Sequence, residues 1–532
     1  MAALIEAGSL ATAIADAAFE AAGAEVPTAG ADAAMALTLR VAEATRRSWH
    51  GADPGALPTD LRGLRGLLPD GLLRLGRAEG FAYYALYPEA YLEAARALPA
   101  TTGVIGIRSI GTTLGAVVAA GAGAAAPVTV RPTGHPFRRT LSLSAEARLP
   151  AYGDEVAIVD EGPGLSGSSF GAVLDALEGR GVAETRITAL PSHPGAPGPQ
   201  ADPRHRARWE RLRRIPAPDA RTLLVESGRL PAWAAERLGR AEAPLQDVSG
   251  GAWRALRWPD EAGWPPVHAG QERLKFLHRT RDATWLLKFV GLGLHGEAQA
   301  ARAASLARAG FCPEVAGFLH GFVAERWHGD ARPVAPGRLD RDGIVVPLSR
   351  YLGWRARHMP AGEEGGAGPK ALWRMARHNA ALAWGEEVAA RLDRWERHLP
   401  GLARLSHPVW TDGRLHAWEW LEIPGGLLKS DAVDHAAAHD LIGCQDIAWD
   451  VAGAAVEFDL PSEQSEALRR GVSDVAGREV PGVLLDFLLP CYLAFQMGRE
   501  AMAAEASDGA EAERCQAAAA RYAHRLRRVL LA

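Results

Sequence analysis

The chain has 532 residues and a formal net charge of −4, with 48% hydrophobic and 23% charged residues. This length predicts two to four domains. The composition is that of a folded globular protein and excludes a wholly disordered chain. Because there is no basic excess, the charge balance argues against a dedicated nucleic-acid partner.

The sequence predicts neither a secretory leader nor a membrane span. No cationic segment opens the chain, and Glu6 and Asp16 interrupt its first apolar residues. The apolar stretch 114–130 consists mainly of small residues and contains Pro127. The four cysteines are far apart and predict neither a disulfide framework nor a structural zinc site: Cys312, Cys444, Cys491 and Cys515. We therefore expect a reduced, cytoplasmic protein without a membrane partner.

The N-terminal half predicts an α/β domain. Residues 1–75 are alanine-rich with helical spacing, and we treat them as a helical N-terminal region. Over 76–200, apolar strand patterns alternate with helical patterns, which predicts a parallel sheet. The predicted strands are 81–87, 104–107, 128–130, 156–159 and 186–190, and the predicted helices are 89–98, a segment after Gly111, and 170–180.

The C-terminal half predicts an α+β domain with a mostly helical last part. Residues 201–265 are rich in proline, arginine and alanine and form a predicted connecting region. The second domain covers 266–532. Its antiparallel strands are predicted at 274–278, 284–290, 315–319 and 322–327, with a helix at 297–309. After about residue 370 the pattern is helical except for a polar region between Asp412 and Asp450.

The most informative N-terminal segment is 156–169. An apolar strand leads to the acidic pair Asp160 and Glu161, followed by three glycines, three serines and a helix. Ligands of open α/β sheets bind at the carboxyl ends of the strands. Glycines and a helix N-terminus favour a bound anion, while an acidic pair suits a ribose diol. The segment indicates a phosphorylated-sugar site; an ordinary turn with a helix cap remains the alternative.

Segment 156–169 resembles the PRPP-binding motif of type I phosphoribosyltransferases. That motif has four apolar residues, two acids, a short loop and Thr-Gly-x-Thr. The last four positions correspond here to Ser166, Gly167, Ser168 and Ser169. The resemblance implies that the acidic pair holds the ribose hydroxyls, that residues 166–169 hold the 5′-phosphate, and that Mg²⁺ is required.

Two further segments stand in the order that this family has. Segment 105–113 lies where the family has its pyrophosphate loop, and the resemblance implies diphosphate binding by Arg108, Ser109, Gly111 and Thr112. Segment 130–139 lies where the family has a mobile catalytic loop. Arg131 and Arg138 are its implied catalytic cations, although a solvated basic loop is the alternative.

The C-terminal half contains a lysine within an apolar strand. Lys288 needs an anionic partner if it is buried, and Glu297 follows at the start of the next predicted helix. A strand lysine and a helix glutamate resemble the nucleotide-binding lobe of protein kinases and aminoglycoside phosphotransferases. That resemblance implies ATP binding by Lys288 and Glu297. An edge-strand lysine that reaches solvent is the alternative.

Three later segments resemble the catalytic part of the same kinases. Segment 410–416 resembles the catalytic loop, 427–435 the strand and metal-binding acid, and 446–453 the Asp-x-Ala-Trp-Asp-Leu-Ala segment. The resemblance implies the following roles: Asp412 orients or deprotonates an acceptor hydroxyl, Asp431 binds Mg²⁺, His416 stands near the usual asparagine, and Asp450 holds the loop. Asp434 competes with Asp431 for the metal. The spacing of His435, His439 and Asp440 also suits a metal or a solvated loop.

Together these patterns predict a bifunctional small-molecule enzyme of nucleotide-like metabolism. One half would transfer phosphoribosyl from PRPP to a nitrogen acceptor, and the other would phosphorylate a hydroxyl with ATP and Mg²⁺. The transferase resemblance leaves a homodimer open. One alternative is a PRPP- or nucleotide-sensing regulator with a degenerate kinase-like domain. Another is a kinase with a structural N-terminal domain.

Overall fold

The computed structural model describes residues 1–531 except 58–60, 69–70, 151–153, 336–340, 363–364 and 439. The chain forms two compact units. The first contains Met1–Trp233 and Gly291–Glu297, and the second contains Ala234–Val290 and Ala298–Ala532. This division differs from the predicted boundaries at 75, 200 and 265, because the N-terminal helices join the first unit and the predicted connecting region is shared. All four cysteines are free and buried, and all belong to the second unit.

The first unit is built on a five-stranded parallel sheet, which confirms the prediction of a parallel sheet. Its strand order is β2-β1-β5-β6-β7. The segments β3 and β4 pair with each other as an antiparallel hairpin. The strands are β1 (Gly103–Ile107), β2 (Val128–Val130), β3 (Thr133–His135), β4 (Arg138–Thr140), β5 (Val156–Val159), β6 (Ile187–Leu190) and β7 (Arg213–Arg214).

Helices pack around this sheet, and Ile105, Ile158, Phe170 and Trp209 are buried in its core. The helices are α1 (Ala2–Ala22), α2 (Ala29–Trp49), α3 (Arg62–Arg65), α4 (Glu79–Tyr83), α5 (Pro88–Ala95), α6 (Ile110–Ala122), α7 (Ser168–Gly179), α8 (Pro203–Arg211) and α9 (Arg229–Leu238). The last of these crosses the boundary between the units.

The strand predicted at 81–87 was wrong. The segment forms α4 and a short irregular stretch in which Ala85 has a φ of 50°. Pro88 then begins α5, where its missing N–H costs no helix hydrogen bond. The aromatic spacing that predicted a strand reflects burial, since Phe81 and Tyr87 are 2% and 1% exposed.

Helix α1 has the length and composition of a membrane-crossing segment. Its most apolar window has a mean hydropathy of 1.4, and 39% of that window is buried. The helix packs on α2 and α6, and its Asp16 carboxylate forms an ion pair with Arg108. A packed helix of a globular domain has the same composition, and the cytoplasmic location stays a prediction.

The strand order of the first sheet reverses between β1 and β5, so a crevice is expected at their carboxyl ends. Two glycines allow close packing at this place. A Cβ on Gly111 would lie 2.6 Å from the carbonyl oxygen of Val159, and a Cβ on Gly106 would lie 2.2 Å from the carbonyl oxygen of Gly111. Helix α6 can therefore begin directly against the end of β5.

The second unit begins with a five-stranded antiparallel sheet in the order β11-β12-β10-β9-β8. Lys288 of the central strand faces Lys275 of its neighbour in register. These strands are β8 (Gln246–Asp247), β9 (Lys275–Arg279), β10 (Thr284–Phe289), β11 (Val315–Leu319) and β12 (Phe322–Arg326).

Two smaller antiparallel sheets follow, in the orders β13-β15-β16 and β14-β17. They are formed by β13 (Arg332–Pro333), β14 (Pro408–Val409), β15 (Trp420–Ile423), β16 (Gly426–Lys429) and β17 (Gln445–Asp446). All but β13 lie within or next to the polar region predicted between Asp412 and Asp450.

The rest of the second unit is mainly helical, as predicted. Its core includes Tyr351, Trp449, Leu468 and Tyr492. The helices are α10 (Gly293–Arg308), α11 (Arg341–His358), α12 (Pro369–Trp384), α13 (Glu386–Ala389), α14 (Leu399–Leu405), α15 (Ala448–Glu457), α16 (Ser462–Ala476), α17 (Gly482–Glu505) and α18 (Gly509–Leu531). The first turn of α10 belongs to the first unit.

Candidate functional site

In the first unit, the acidic pair Asp160 and Glu161 directly follows β5. Main-chain contacts fix both residues: Tyr91 donates from its hydroxyl to the carbonyl oxygen of Asp160 at 2.9 Å, and Ser192 donates from Oγ to that of Glu161 at 2.6 Å. The Glu161 N–H donates to Asp160 Oδ1 at 2.9 Å. The two side chains therefore stand at the carboxyl edge of the sheet, as predicted.

Burial changes the protonation of this acidic pair. It raises the pKa of Asp160 to about 7, although Arg139 and Arg131 act in the opposite direction. Burial also raises the pKa of Glu161 to about 7, and the negative charges of Asp160 and Glu79 add to the effect. Near neutral pH these carboxyl groups can therefore both donate and accept hydrogen bonds.

Residues 166–169, which we call the serine loop, lead into the N-terminus of α7. The Oγ atoms of Ser166 and Ser168 are 2.9 Å apart, and Gly167 adopts a positive φ of 61°. Ser168 also donates from Oγ to the carbonyl oxygen of Pro136 at 2.5 Å. A helix N-terminus favours an anion, so this loop can receive a phosphate group.

The hairpin formed by β3 and β4 brings a cation to the serine loop. Arg139 Nη1 donates to Ser169 Oγ at 3.0 Å. Arg139 belongs to the basic segment 130–139, but the predicted catalytic cations of that segment are Arg131 and Arg138. Arg138 lies exposed on β4. The hairpin therefore brings Arg139, and not its neighbour Arg138, into contact with the serine loop.

Arg108, the predicted diphosphate ligand, and Arg131, a predicted catalytic cation, both contact carboxylates. Arg108 is 5% exposed and donates from Nη1 and Nη2 to Glu25 at 2.9 and 2.6 Å. Its Nε lies 2.9 Å from Asp16, which also binds the guanidinium of Arg131. Carboxylates within the unit therefore balance the charge of both arginines. These acids precede the arginines by 83 or more residues, so the local sequence pattern could not identify them as partners.

The predicted diphosphate loop adjoins the acidic pair through its backbone. Ser109 is exposed, and its carbonyl oxygen accepts a hydrogen bond from Thr12 Oγ1 at 3.3 Å. Thr112 is fully buried, and its Oγ1 has no hydrogen-bond partner among the described residues. Gly111 is close enough that an added Cβ would lie 3.5 Å from Asp160 Oδ1.

In the second unit, Lys288 is 1% exposed on β10 and contacts two aspartates. Its Nζ binds Asp431 Oδ1 and lies 2.5 Å from Asp434 Oδ2. Burial alone would lower the pKa of Lys288, but these two carboxylates raise it well above its ordinary value. The buried lysine predicted from sequence is present, and it is fully ionised at neutral pH.

The predicted partner of Lys288 was Glu297, and the structure places that residue elsewhere. Glu297 is exposed on α10, and among the described residues Lys288 forms its ion pairs with Asp431 and Asp434. The buried polar residue of the helix is Gln299, which donates to the carbonyl oxygen of Val433 at 2.9 Å. Glu297 and Gln299 are only two residues apart, and the helical pattern of the sequence does not show which of them is buried.

A second lysine completes this side of the site. Lys275 lies 2.9 Å from Glu272 and 3.9 Å from Asp431. Burial raises the pKa of Asp431, but Lys288 and Lys275 outweigh it and hold that pKa well below its usual range. Lys275 is not among the predicted site residues, although, like Lys288, it lies within an apolar strand.

The loop carrying Asp412 is held by Asp450, the residue to which the resemblance assigns this structural role. The carboxylate of Asp450 accepts hydrogen bonds from the backbone N–H groups of Asp412 and Gly413 at 2.7 and 2.9 Å. Trp449 Nε1 donates to the carbonyl oxygen of Gly413 at 3.2 Å. A helix-borne carboxylate and indole thus set the position of the loop.

Asp412 itself is fully buried. Its Oδ2 accepts a hydrogen bond from the hydroxyl of Tyr351 at 2.5 Å and lies 3.4 Å from Lys429 Nζ. Burial raises the pKa of Asp412, but the opposite effect of Lys429, His435 and Arg355 is larger, so the pKa lies well below its usual range. The carboxylate is therefore ionised and weakly basic, which suits orientation of a hydroxyl or cation more than proton abstraction.

His416, which the resemblance places near the usual asparagine beside the metal, contacts Glu457 and Trp418 in the structure. Its Nδ1 lies 3.3 Å from Glu457, and its ring stacks on Trp418 with centroids 4.3 Å apart. Glu457 also accepts hydrogen bonds from Tyr492 and Tyr522, both at 2.9 Å. His416 belongs to a buried polar cluster because the loop turns it toward α15.

The donors near Lys288 fit Mg²⁺, which prefers carboxylate oxygens. Asp431 and Asp434 both present carboxylates there, and Asp434 Oδ1 is buried without a hydrogen-bond partner among the described residues. Both aspartates that compete for the metal in the prediction therefore lie beside Lys288, and the assignment of the metal to either one stays a prediction. His439, a further predicted candidate, lies outside the described residues.

No protein-family model matches the chain, and no curated protein matches it. Solved structures similar to it include choline kinase LicA from Streptococcus pneumoniae, at 15% identity and a TM-score of 0.35, covering 56% of this chain and 99% of that one. A choline/ethanolamine kinase family protein from Mesorhizobium loti is 17% identical, with a TM-score of 0.32 and coverages of 57% and 99%. Spectinomycin phosphotransferase is 11% identical, with a TM-score of 0.36 and coverages of 57% and 97%.

Proposed function

We propose that the second unit is an ATP-dependent phosphotransferase that acts on a hydroxyl group of a small molecule. The observation that carries the proposal is Lys288, held between Asp431 and Asp434 in a unit whose Asp412 loop is fixed by Asp450. A strand lysine, a metal-binding acid and a fixed loop aspartate are the parts that phosphoryl transfer uses.

The roles follow from the charges of these side chains. Lys288 would bind a phosphate oxygen, and Lys275 would add a second positive charge on the neighbouring strand. Asp431 and Asp434 would hold Mg²⁺, which neutralises phosphate charge when bound. Because phosphoryl transfer depends on positioning and charge stabilisation, an ionised and immobile Asp412 would serve to orient rather than to remove a proton.

Titration calorimetry with ATP and Mg²⁺, followed by ADP formation across a panel of small hydroxylated acceptors, tests this proposal. We expect ATP binding and turnover in the full chain, both lost by at least tenfold in Lys288→Met. Lys370→Met is the matched control because Lys370 is exposed on α12. Undiminished binding and turnover in folded Lys288→Met, or no ATP binding by the folded wild type, would contradict the proposal.

We also propose that the first unit binds a phosphorylated ribose such as PRPP. The specific support is Arg139, which donates to Ser169 of the serine loop and also acts electrostatically on Asp160 of the acidic pair. Transfer to a nitrogen acceptor would also need positive charge near the diphosphate. Arg108 and Arg131 are paired with Glu25 and Asp16, so the support is stronger for ligand binding than for transfer.

Titration with PRPP and Mg²⁺ tests this second proposal. We expect micromolar binding that is lost in the double variant Asp160→Asn/Glu161→Gln. Glu146→Gln is the control because Glu146 is exposed in the same unit. Pyrophosphate release with nitrogen acceptors then separates a transferase from a sensor. Equal PRPP affinity in the double variant and the wild type would exclude the acidic pair as the ribose site.

A further inference from the structure

Two buried polar atoms in the second unit face each other without hydrogen bonds. Asp412 Oδ1 and His435 Nδ1 are inaccessible to solvent and have no hydrogen-bond partner among the described residues. They lie 3.7 Å apart, beyond the usual N–H···O distance. A buried carboxylate oxygen without a donor is costly, so the space between these atoms calls for a third group.

A third side chain converges on the same space. Glu419, next to β15, offers a carboxylate oxygen within 4.8 Å of ligand atoms of both Asp412 and His435. Zinc binds nitrogen and oxygen ligands at about 2.0–2.2 Å, so two ligands of one ion stand roughly 3–4 Å apart. Asp412 Oδ1 and His435 Nδ1, at 3.7 Å, lie within the range expected for two ligands of one ion.

Neighbouring side chains hold the two carboxylates of this group. Tyr351 donates to Asp412 Oδ2 at 2.5 Å, and Lys429 Nζ lies 2.8 Å from Glu419 Oε2. Lys429 also lies 3.4 Å from Asp412 Oδ2, so its single positive charge is shared by two carboxylates. Such outer contacts orient metal ligands, and here they leave Asp412 Oδ1 free.

We propose that Asp412, Glu419 and His435 bind one transition-metal ion of the Zn²⁺ or Mn²⁺ class. The donor set, two carboxylates and an imidazole, matches these ions better than Mg²⁺, which favours oxygen alone. The loop that carries Asp412 is already fixed by Asp450. The site requires no ATP and goes beyond the phosphotransferase proposal.

The test uses the full chain freed of metal with a chelator. ZnCl₂ and MnCl₂ are titrated separately by calorimetry, and thermal melting is followed with and without each ion. We expect one equivalent of at least one of these ions to bind per chain and to raise the Tm. The variants His435→Gln and Glu419→Gln should each weaken binding at least tenfold. His407→Gln is the control because His407 is exposed in the same unit.

Two variants keep the test decisive if one of them fails to fold. Equal affinity in a folded His435→Gln or Glu419→Gln protein, or no stoichiometric binding of either ion by the wild type, would overturn the site. ATP titration of the same preparations separates the two proposals. Loss of metal binding with ATP binding retained supports a separate site, whereas metal binding in a chain that does not bind ATP rejects only the phosphotransferase.

Discussion

At the scale of single residues, the acidic pair and Asp412 show that burial alone does not decide the charge of a carboxyl group. Burial raises the pKa of Asp160 to about 7 because the cations nearby only partly offset it. Asp412 is buried more completely, yet Lys429 keeps it ionised. The partner of each carboxylate therefore decides its chemistry.

The raised pKa of Asp160 predicts a pH-dependent stability difference. Between about pH 4 and pH 7 the unfolded chain ionises this group while the folded chain keeps it protonated, so the wild type loses stability as the pH rises. Asp160→Asn removes this loss. We expect its free energy of unfolding, relative to wild type, to increase by on the order of 2 kcal/mol from pH 5 to pH 8.

Urea denaturation at both pH values measures the effect. Glu146→Gln provides the baseline, because Glu146 is exposed and should show little change. A difference between Asp160→Asn and wild type that stays constant from pH 5 to pH 8 would contradict the prediction.

At the scale of elements, the sequence predicted most strands of both sheets because their apolar, β-branched runs are short and bounded by turn residues. It failed at 81–87, where aromatic residues are buried by a short helix rather than a strand. Site residues on one continuous segment, such as the serine loop, were predictable. Partners joined only by folding were not, as Arg108 with Glu25 and Lys288 with Asp434 demonstrate.

The junction between β5 and α6 gives a prediction at this scale. In Gly111→Ala the new Cβ would lie 2.6 Å from the carbonyl oxygen of Val159, a backbone atom that cannot move alone. We expect a loss of roughly 1–3 kcal/mol in the free energy of unfolding, as for other overpacked sites. The same change should weaken PRPP binding, because Asp160 follows Val159 directly.

Gly115→Ala is the matched control on the same helix. Its Cβ would find its nearest neighbour, the Cα of Gly106, at 3.4 Å, which is an ordinary contact. Denaturation of both variants is the measurement. If Gly111→Ala proved as stable as Gly115→Ala, the close packing of α6 against β5 would not constrain this position.

At the scale of the whole molecule, each of the two units has its own sheet and its own cluster of ionisable groups. The sequence predicted this two-part organisation from the change between parallel and antiparallel strand patterns. The strand β7 was not predicted, because it is only two residues long and lies in the arginine-rich segment taken as a connection. An element that short has no periodicity to detect.

Because the cysteines are buried in the second unit, their reaction with a thiol reagent can report when that unit opens. All four thiols are buried, and each belongs to that unit, whereas the described part of the first unit contains none. Burial also raises the pKa of Cys515 to about 11, which further suppresses its reactivity. A thiol-specific dye added to the native protein would thus remain almost unreacted. Under mild denaturant, the rate at which the dye reacts would measure the opening of the second unit and would be insensitive to opening of the first.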